Sequence, residues 1–212
     1  MAENGSSMVK LSIGLRKSRF TRGVVLIVTI VASASISRVT CAKSPEKITS
    51  VYTSLTTKNK CKLASLDDEG TEPGYARGSL ASCPGIGGNS VHVEDADGRM
   101  TLYVIAPNKN KFNLNYPRVV LLGFSELGDK AEWRVTTRAG KLVPLGLIVR
   151  VTSTNGEVPK NKIESYLAVA KITPSEICVT DRIPARRTTA NTEARRAADT
   201  ATTKKCLAPI RY

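Results

Sequence analysis

The sequence predicts a mainly β fold: an antiparallel β-sandwich or half-barrel with one C-terminal α-helix. Apolar and polar residues alternate along much of the chain, most clearly over 131–136 (AEWRVT), and period-two alternation is typical of strands with one buried face. Short turn signals such as Asp97-Gly98 join these segments and favour antiparallel neighbours. Helical periodicity occurs only near the end, at about 191–203.

The first half of the folded region supplies an opening strand and a hairpin. The expected elements are a strand at 48–55, an acidic loop containing Gly and Pro at 63–79, and a hairpin at 91–106. Within that hairpin Val91 and Val93 alternate with His92 and Glu94, so the two valines are expected to face the core and the two polar residues to face outward.

The second half supplies the remaining strands, which we expect at 118–124, 131–137, 142–153, 165–172 and 176–180. Residues 138–141 (RAGK) form a turn between two of them. Pro144 and Gly146 indicate a bulge or an edge near the start of the strand after that turn. The residues expected to share a core are Ala131, Trp133, Val135, Leu147, Val149 and Val151.

The last segment predicts a short helix that needs a covalent tether. Asn191 can cap it, and Glu193 suits its first turn. Its apolar stripe consists of Ala194, Ala197, Ala198 and Ala201. Arg195 and Asp199 have the spacing of an i,i+4 ion pair. Because so short an alanine-rich helix is marginal alone, Cys206 is expected to hold it to the sheet.

The N-terminus predicts export. Five basic residues between 10 and 22 precede an apolar run at 23–31 and an Ala-x-Ala site, an order typical of a signal peptide cleaved after Ala34. The run is shorter than the ~20 residues of a spanning helix, so no stable membrane span is expected after processing. A lipoprotein would use Cys41, but Arg38 stands where a small apolar residue is wanted. The expected organisation is a signal peptide at 1–34, a flexible linker at 35–46 and one β-rich domain at 47–212.

The chain is strongly basic, with 32 Lys and Arg against 18 Asp and Glu and a net charge of +14. The predicted leader carries five basic residues and one acid, so its removal leaves +10. This charge has two interpretations: it serves only solubility, which is the favoured one, or it attracts an anionic envelope component or another protein. Nucleic acid is not an expected partner, because export separates the two and the basic segment 182–205 lacks stacking aromatics or a reading helix.

Five cysteines in an exported chain predict disulfides. Cys61, Cys83, Cys178 and Cys206 lie in the folded region and allow three connectivities. Proximity along the chain favours pairing the first with the second and the third with the fourth, each bridge contributing about 3–4 kcal/mol in the chain-entropy model. Since no pair has C-x-x-C spacing, we expect no metal site.

One stretch, 81–100, contains residue types that could carry chemistry. His92 is the sole histidine, so acid–base catalysis would require it, with Glu94 or Asp97 nearby; the alternative is a strand histidine that faces solvent. The glycines at 85–88 approach a dinucleotide fingerprint, but a strand pattern follows them where a helix would be needed, so we expect a structural turn and no cofactor. The acids Asp67-Asp68-Glu69 are expected in a solvated loop.

An ordered series of motifs runs from Val51 to Cys206: VYTSL, CPGIGG, VEDADGRMTLYV, FSELGDKAEWRV, LIVRV, KITPSEICVT and NTEARRAADTATTKKC. The series resembles a group of small secreted bacterial proteins with a signal peptide, a β-rich domain and a Cys-tethered C-terminal helix. The resemblance implies a secreted, disulfide-containing domain and brings no established activity and no catalytic residues. The segment RIPARRTTA (182–190) departs from the group's pattern, so no partner is transferred through it.

These observations predict an exported, disulfide-stabilised, non-catalytic domain that binds an envelope component, with neither metal nor cofactor. Two alternatives stay open. One is a small hydrolase that uses His92 with nearby carboxylates, and it requires His92 to line a concave pocket within hydrogen-bonding reach of an acid. The other is a protein similar to secreted lysozyme inhibitors, suggested by size, disulfides and β content, although an inhibitor of a basic lysozyme would more naturally be acidic.

Overall fold

The computed structural model describes residues 46–58, 61–65, 78–154 and 163–211. Within these ranges the chain forms ten strands and one C-terminal helix, which confirms the mainly β prediction. Among the described residues, no helix is long and apolar enough to cross a membrane. The predicted signal peptide, Cys41 and the acids Asp67-Asp68-Glu69 lie outside the described residues.

The ten strands form one continuous mixed sheet, which divides into two halves of five strands, here called sheet I and sheet II. Sheet I contains, in spatial order, β2 (Lys62–Ser65), β3 (Gly78–Pro84), β4 (Ser90–Ala96), β5 (Arg99–Ile105) and β6 (Lys111–Asn113). Sheet II contains β1 (Thr49–Ser54), β7 (Ser125–Arg138), β8 (Lys141–Ser153), β9 (Ser165–Ile172) and β10 (Ile177–Pro184). Neighbours within each sheet are antiparallel, and a single parallel bridge between Arg99 and Ser125 joins the two sheets.

One apolar core lies between the two sheets. Val91 and Val104 of sheet I belong to the same buried cluster as Trp133 and Val149 of sheet II. At the sides, β1 contacts β3 and β10 contacts β6, so the two sheets face each other as in a sandwich. The residues predicted to share a core are all buried in this cluster: Ala131, Trp133, Val135, Leu147, Val149 and Val151.

The turn and bulge predictions also agree with the structure. Asp97 and Gly98 both have positive φ (53° and 68°), as a two-residue hairpin turn requires, and they join β4 to β5. In β8 the register shifts because Arg134 pairs with Gly146 whereas Val135 pairs with Pro144. The extra residue is Leu145, so the proline and the glycine flank a β-bulge.

The helix α2 (Ala190–Asp199) covers the outer face of sheet II. Its buried stripe, together with the following 3₁₀ turn, consists of Ala190, Ala194, Ala198 and Ala201, whereas Ala197 is only partly buried. The prediction that Asn191 caps the helix is wrong, because Thr189 occupies the cap position and the backbone N–H of Glu193 donates to its carbonyl at 2.9 Å. The earlier start brings Ala190 into the interface.

The predicted ion pair between Arg195 and Asp199 is also wrong. Arg195 Nε donates to Glu132 Oε1 at 2.6 Å, and Arg134 Nε donates to Asp199 Oδ1 at 2.7 Å. Glu132 and Arg134 project from β7 toward the helix, so Arg195 and Asp199 each have an opposite charge on the sheet as a partner. Contacts across the interface therefore replace a pair within the helix.

Several segments differ from the expected elements, among them the strands β3 and β6, which the sequence did not predict. Residues 118–124 are not a strand: α1 (Tyr116–Val119) covers the start of the segment, and the buried residues Tyr116, Val119 and Val120 have helical i, i+3, i+4 spacing. Pro117 suits the first turn of this helix. The loop expected at 63–79 begins later than predicted, because β2 continues to Ser65 and pairs with β3.

Two disulfides secure the fold, Cys61–Cys83 and Cys178–Cys206, the pairing that proximity along the chain favours. The second bridge also fixes the C-terminal tail. After Cys206 the N–H of Leu207 donates to Val179 O at 2.8 Å, and the N–H of Ile210 donates to Arg118 O at 2.8 Å. The tail therefore connects β10 of sheet II with α1, which follows sheet I.

Candidate functional site

His92 lies on the outer face of sheet I, half-buried in β4 between Ser82 and Tyr103 on the neighbouring strands. Tyr103 organises this face: its hydroxyl donates to Glu94 Oε1 at 3.3 Å and accepts from Asn113 Nδ2 at 3.2 Å. The ammonium of Lys111 lies 3.8 Å from the centre of the tyrosine ring. The pairing of β4, β5 and β6 therefore places these polar side chains together on the outer face of sheet I.

The electrostatics of this face favour a neutral imidazole. Burial, and then the nearby charge of Lys111, lower the pKa of His92. Burial and the Glu94 carboxylate raise the pKa of Tyr103. Among the described residues the imidazole of His92 makes no hydrogen bond, Glu94 accepts from the Tyr103 hydroxyl, and Asp97 pairs with Arg99 at 2.6 Å. No carboxylate–imidazole pair is formed within this part of the chain.

The glycine-rich stretch forms the turn between β3 and β4. Gly87 and Gly88 have positive φ (65° and 81°), and Asn89 closes the turn by donating Nδ2 to Ile86 O at 2.8 Å. A strand follows, so no helix N-terminus is present here to hold a phosphate. A Cβ at Gly87 would lie only 2.6 Å from Pro144 Cδ, which shows how tightly this turn packs against β8.

That turn forms one wall of a mainly apolar cavity of about 290 Å³, which we call the proline cleft. The cavity lies where turns and strand ends of both sheets meet. Its lining residues are Asn89, Ala106, Pro107, Asn108, Val143, Pro144, Ile172, Thr173 and Pro174. His92 is not among them, nor does it line the cavity beside the end of β1 or the small one lined by Tyr166 and Pro184.

A larger and more polar cavity of about 660 Å³, which we call the lysine hollow, lies beside the end of β1. Its lining residues are Tyr52, Thr53, Ser54, Thr56, Thr57, Lys58, Asp129 and Lys130. Ser54 Oγ accepts from the N–H of Thr56 at 3.2 Å and lies 3.1 Å from the Thr56 hydroxyl. Both lysines are exposed. The hollow therefore offers ammonium groups and hydroxyls to a polar ligand.

Three side chains, those of Glu176, Cys178 and Cys206, lie as close together as metal ligands do but do not form a metal site. A carboxylate oxygen of Glu176 lies close to the sulfurs of Cys178 and Cys206, but those sulfurs form a disulfide and metal binding requires thiolates. The carboxylate is used elsewhere, in an ion pair with Lys171 at 2.5 Å. This group therefore stabilises the fold near the second disulfide.

Sequence reasoning identified neither the cleft nor the hollow. Pro144 stood out only as a bulge signal, and Lys58 and Lys130 lie 72 positions apart with no motif to connect them. The one local signal was the hydroxyl-rich run TSLTTK at 53–58. No protein-family model matches the chain, and neither curated proteins nor solved structures gave a significant match. The resemblance to small secreted bacterial proteins therefore stays an expectation.

Proposed function

We propose that the protein is an exported, non-catalytic binding domain that attaches to an anionic component of the cell envelope through the lysine hollow. The observation that carries the proposal is the lining of the hollow, which contains two lysines, Lys58 and Lys130, and one acid, Asp129. The excess of basic over acidic residues in the whole chain acts in the same direction.

The chemistry of the hollow suits phosphate or carboxylate groups. Ammonium groups form charge-assisted hydrogen bonds with such anions, and threonine hydroxyls add neutral donors. Thr57 and Lys58 are exposed just after β1, and Lys130 is exposed within β7, where it pairs with Ser54 at the end of β1. A volume of about 660 Å³ lies within the ~300–1,000 Å³ of typical ligand sites and would accommodate one or two units of a polymer.

The hydrogen bonds of the hollow support binding without catalysis. The Ser54 hydroxyl interacts with the backbone and the hydroxyl of Thr56, and within the described ranges no base holds it as a nucleophile. The Thr53 hydroxyl accepts the buried indole N–H of Trp133 at 2.8 Å. The hydroxyls of Thr53 and Ser54 therefore have partners within the protein. These partners fix the positions of both side chains, which favours a rigid surface that donates hydrogen bonds to a ligand.

Retention of the mature protein on immobilised poly(glycerol phosphate) tests this function, with neutral dextran as the reference surface. The variant pair Lys58→Gln/Lys130→Gln should lose most of the retention. The matched control Lys47→Gln/Lys205→Gln removes the same charge from other exposed positions and should keep it. Retention should weaken as salt rises past about 0.1 M, where the screening length is about 10 Å. Equal losses in the two variants, or retention on dextran, would exclude the lysine hollow as the site.

A further inference from the structure

We propose that the proline cleft is a second binding site, one that takes a medium-chain fatty acid. Its alkyl chain would lie against the end of the core, and its carboxylate would lie near Lys109 and Lys141. This site is separate from the lysine hollow and does not depend on the function proposed for that hollow.

The position of the cleft gives an alkyl chain access to the core. The cleft lies at one end of the sandwich, between the β5–β6 connection of sheet I and the β9–β10 connection of sheet II. Ala106 and Ile172 line it and are each only 7% exposed, and Ile172 belongs to the central core cluster. Openings of this kind at the mouth of a β structure are common ligand sites.

The walls of the cleft are fixed before any ligand arrives. Pro107, Pro144 and Pro174 each have a restricted backbone angle. Gly87 and Gly88 pack directly on two of these rings, since an added Cβ would lie 2.6 Å from Pro144 Cδ and 3.3 Å from Pro107 Cγ. A preformed wall reduces the ordering cost of binding. At about 290 Å³, the cavity suits a short chain better than a bulky ring system.

The polar groups of the lining are largely occupied within the protein. Asn89 donates to Ile86 O at 2.8 Å. The Thr173 hydroxyl donates to Glu176 O at 2.6 Å and accepts from the Glu176 N–H at 3.0 Å. A polar ligand would therefore lose its hydration and gain few hydrogen bonds in return, which favours an alkyl group.

The charges around the cleft indicate an anionic headgroup. The segments 85–90, 105–111, 140–146 and 171–175, which carry the lining residues, contain four lysines and no Asp or Glu. Lys171 pairs with Glu176, and Lys111 lies on the Tyr103 ring. Lys109 is exposed and follows Asn108 of the cleft lining in the β5–β6 turn. Lys141 is exposed at the start of β8, two residues before Val143 of the lining. An apolar cavity with a basic rim complements a fatty acid.

Calorimetric titration of the mature protein with hexanoate and octanoate tests the proposal, with 1-octanol as the uncharged comparison. Affinity should rise about fourfold per methylene from hexanoate to octanoate. Octanoate should bind about fivefold more tightly than octanol, and Lys109→Gln/Lys141→Gln should abolish that preference. Lys58→Gln/Lys130→Gln, which alters the lysine hollow, should leave octanoate binding unchanged.

Filling the cleft provides the second arm. Val143→Phe places a ring in the cavity and should remove octanoate binding, and Asn108→Trp on the exposed turn should do the same if the first variant folds poorly. Leu63→Phe, at a residue 66% exposed on β2, is the matched control and should bind normally. Undetectable octanoate binding, equal binding of octanol, or normal binding by both filled variants would overturn the proposal. Self-association that Val143→Phe abolishes, without octanoate binding, would instead assign the cleft to a second copy of the chain.

Discussion

The contact between Arg134 and Asp199 is predicted to hold α2 on sheet II. Arg134 lies on β7 and reaches the C-terminal turn of the helix, where Nε and Nη2 donate to the two carboxylate oxygens at 2.7 and 3.0 Å. Nη1 donates to Ser50 Oγ at 2.6 Å, so the same guanidinium also contacts β1. The perturbation is Arg134→Met, which keeps the alkyl stem and removes the charge and all three donors.

The expected magnitude follows from the burial of the pair. The two side chains are 11% and 29% exposed, so water screens their charges only in part. A hydrogen bond to a charged group contributes about 1.5–3 kcal/mol, and we take the lower end because the carboxylate keeps some solvent. Arg134→Met should therefore cost about 2 kcal/mol, with about 1.5 kcal/mol of it coupled to Asp199. For a domain of this size, 2 kcal/mol corresponds to a fall in Tm of about 4–8 °C.

A double-mutant cycle measures this coupling directly. It uses urea unfolding of the wild type, Arg134→Met, Asp199→Asn and the double variant. The chain contains a matched control in Arg138 and Glu46, which form the same bidentate contact at 2.9 and 3.0 Å but are 58% and 33% exposed. Because the control pair lies in solvent, its coupling should be distinctly smaller.

Comparable couplings for the two pairs would refute the reasoning, since both are bidentate contacts between an arginine and a carboxylate and the first pair is the more buried. A coupling below about 0.3 kcal/mol for the partly buried pair would refute it as well, because that is the additivity expected of independent sites. The denaturant m-value should be the same for all four proteins, because none of the substitutions changes the amount of surface exposed on unfolding.

Three further outcomes are expected. Burial raises the pKa of Glu132, but contacts to Arg195 and Ser50 outweigh it and hold that pKa below its usual value. The folded protein therefore binds fewer protons at this carboxylate than the unfolded protein, and stability should fall as pH drops from the ordinary Glu range toward the lowered pKa. The urea midpoint of Glu132→Gln should depend less steeply on acid pH than that of the wild type. Replacing Cys178 and Cys206 with Ser should cost about 3–4 kcal/mol for a separation of 28 residues, measured by denaturant unfolding without reductant. Gly146→Ala places a Cβ 2.9 Å from the carbonyl oxygen of Ala198 and should cost about 1–3 kcal/mol, seen as a lower Tm and weaker protection of α2 amides from exchange.

Local patterns predicted most of sheet II, because each strand there has its own alternation. Trp133 and Val149 are buried where alternation placed them. The segment after Asn115 was mispredicted because the apolar run at 118–124 hides helical spacing that begins at Tyr116. The strands β2 and β3 were missed since β2 has only four residues and a turn-rich segment lies between them.

The candidate sites could not be predicted, because their residues are distant in sequence. His92 was the obvious candidate from residue type alone, but register puts it beside Tyr103 on an outer face, and the described cavities lie elsewhere. The lysine hollow needs β1 and β7 to be paired before Lys58 approaches Lys130. No rule based on spacing along the sequence predicts this strand pairing. Composition therefore predicted a basic protein that binds a partner, but not the surface that it would use.

The sequence by itself determined the fold class, the hairpin turn at Asp97-Gly98 and the disulfide partners favoured by proximity. These depend on neighbours along the chain, whose side-chain period and turn chemistry act locally. Only the tertiary structure decided that Arg195 pairs with Glu132, that the C-terminal tail reaches Arg118, and that turns of both sheets enclose the proline cleft. Those contacts arise because two sheets bury one core between them, and burial brings together residues that the sequence keeps far apart.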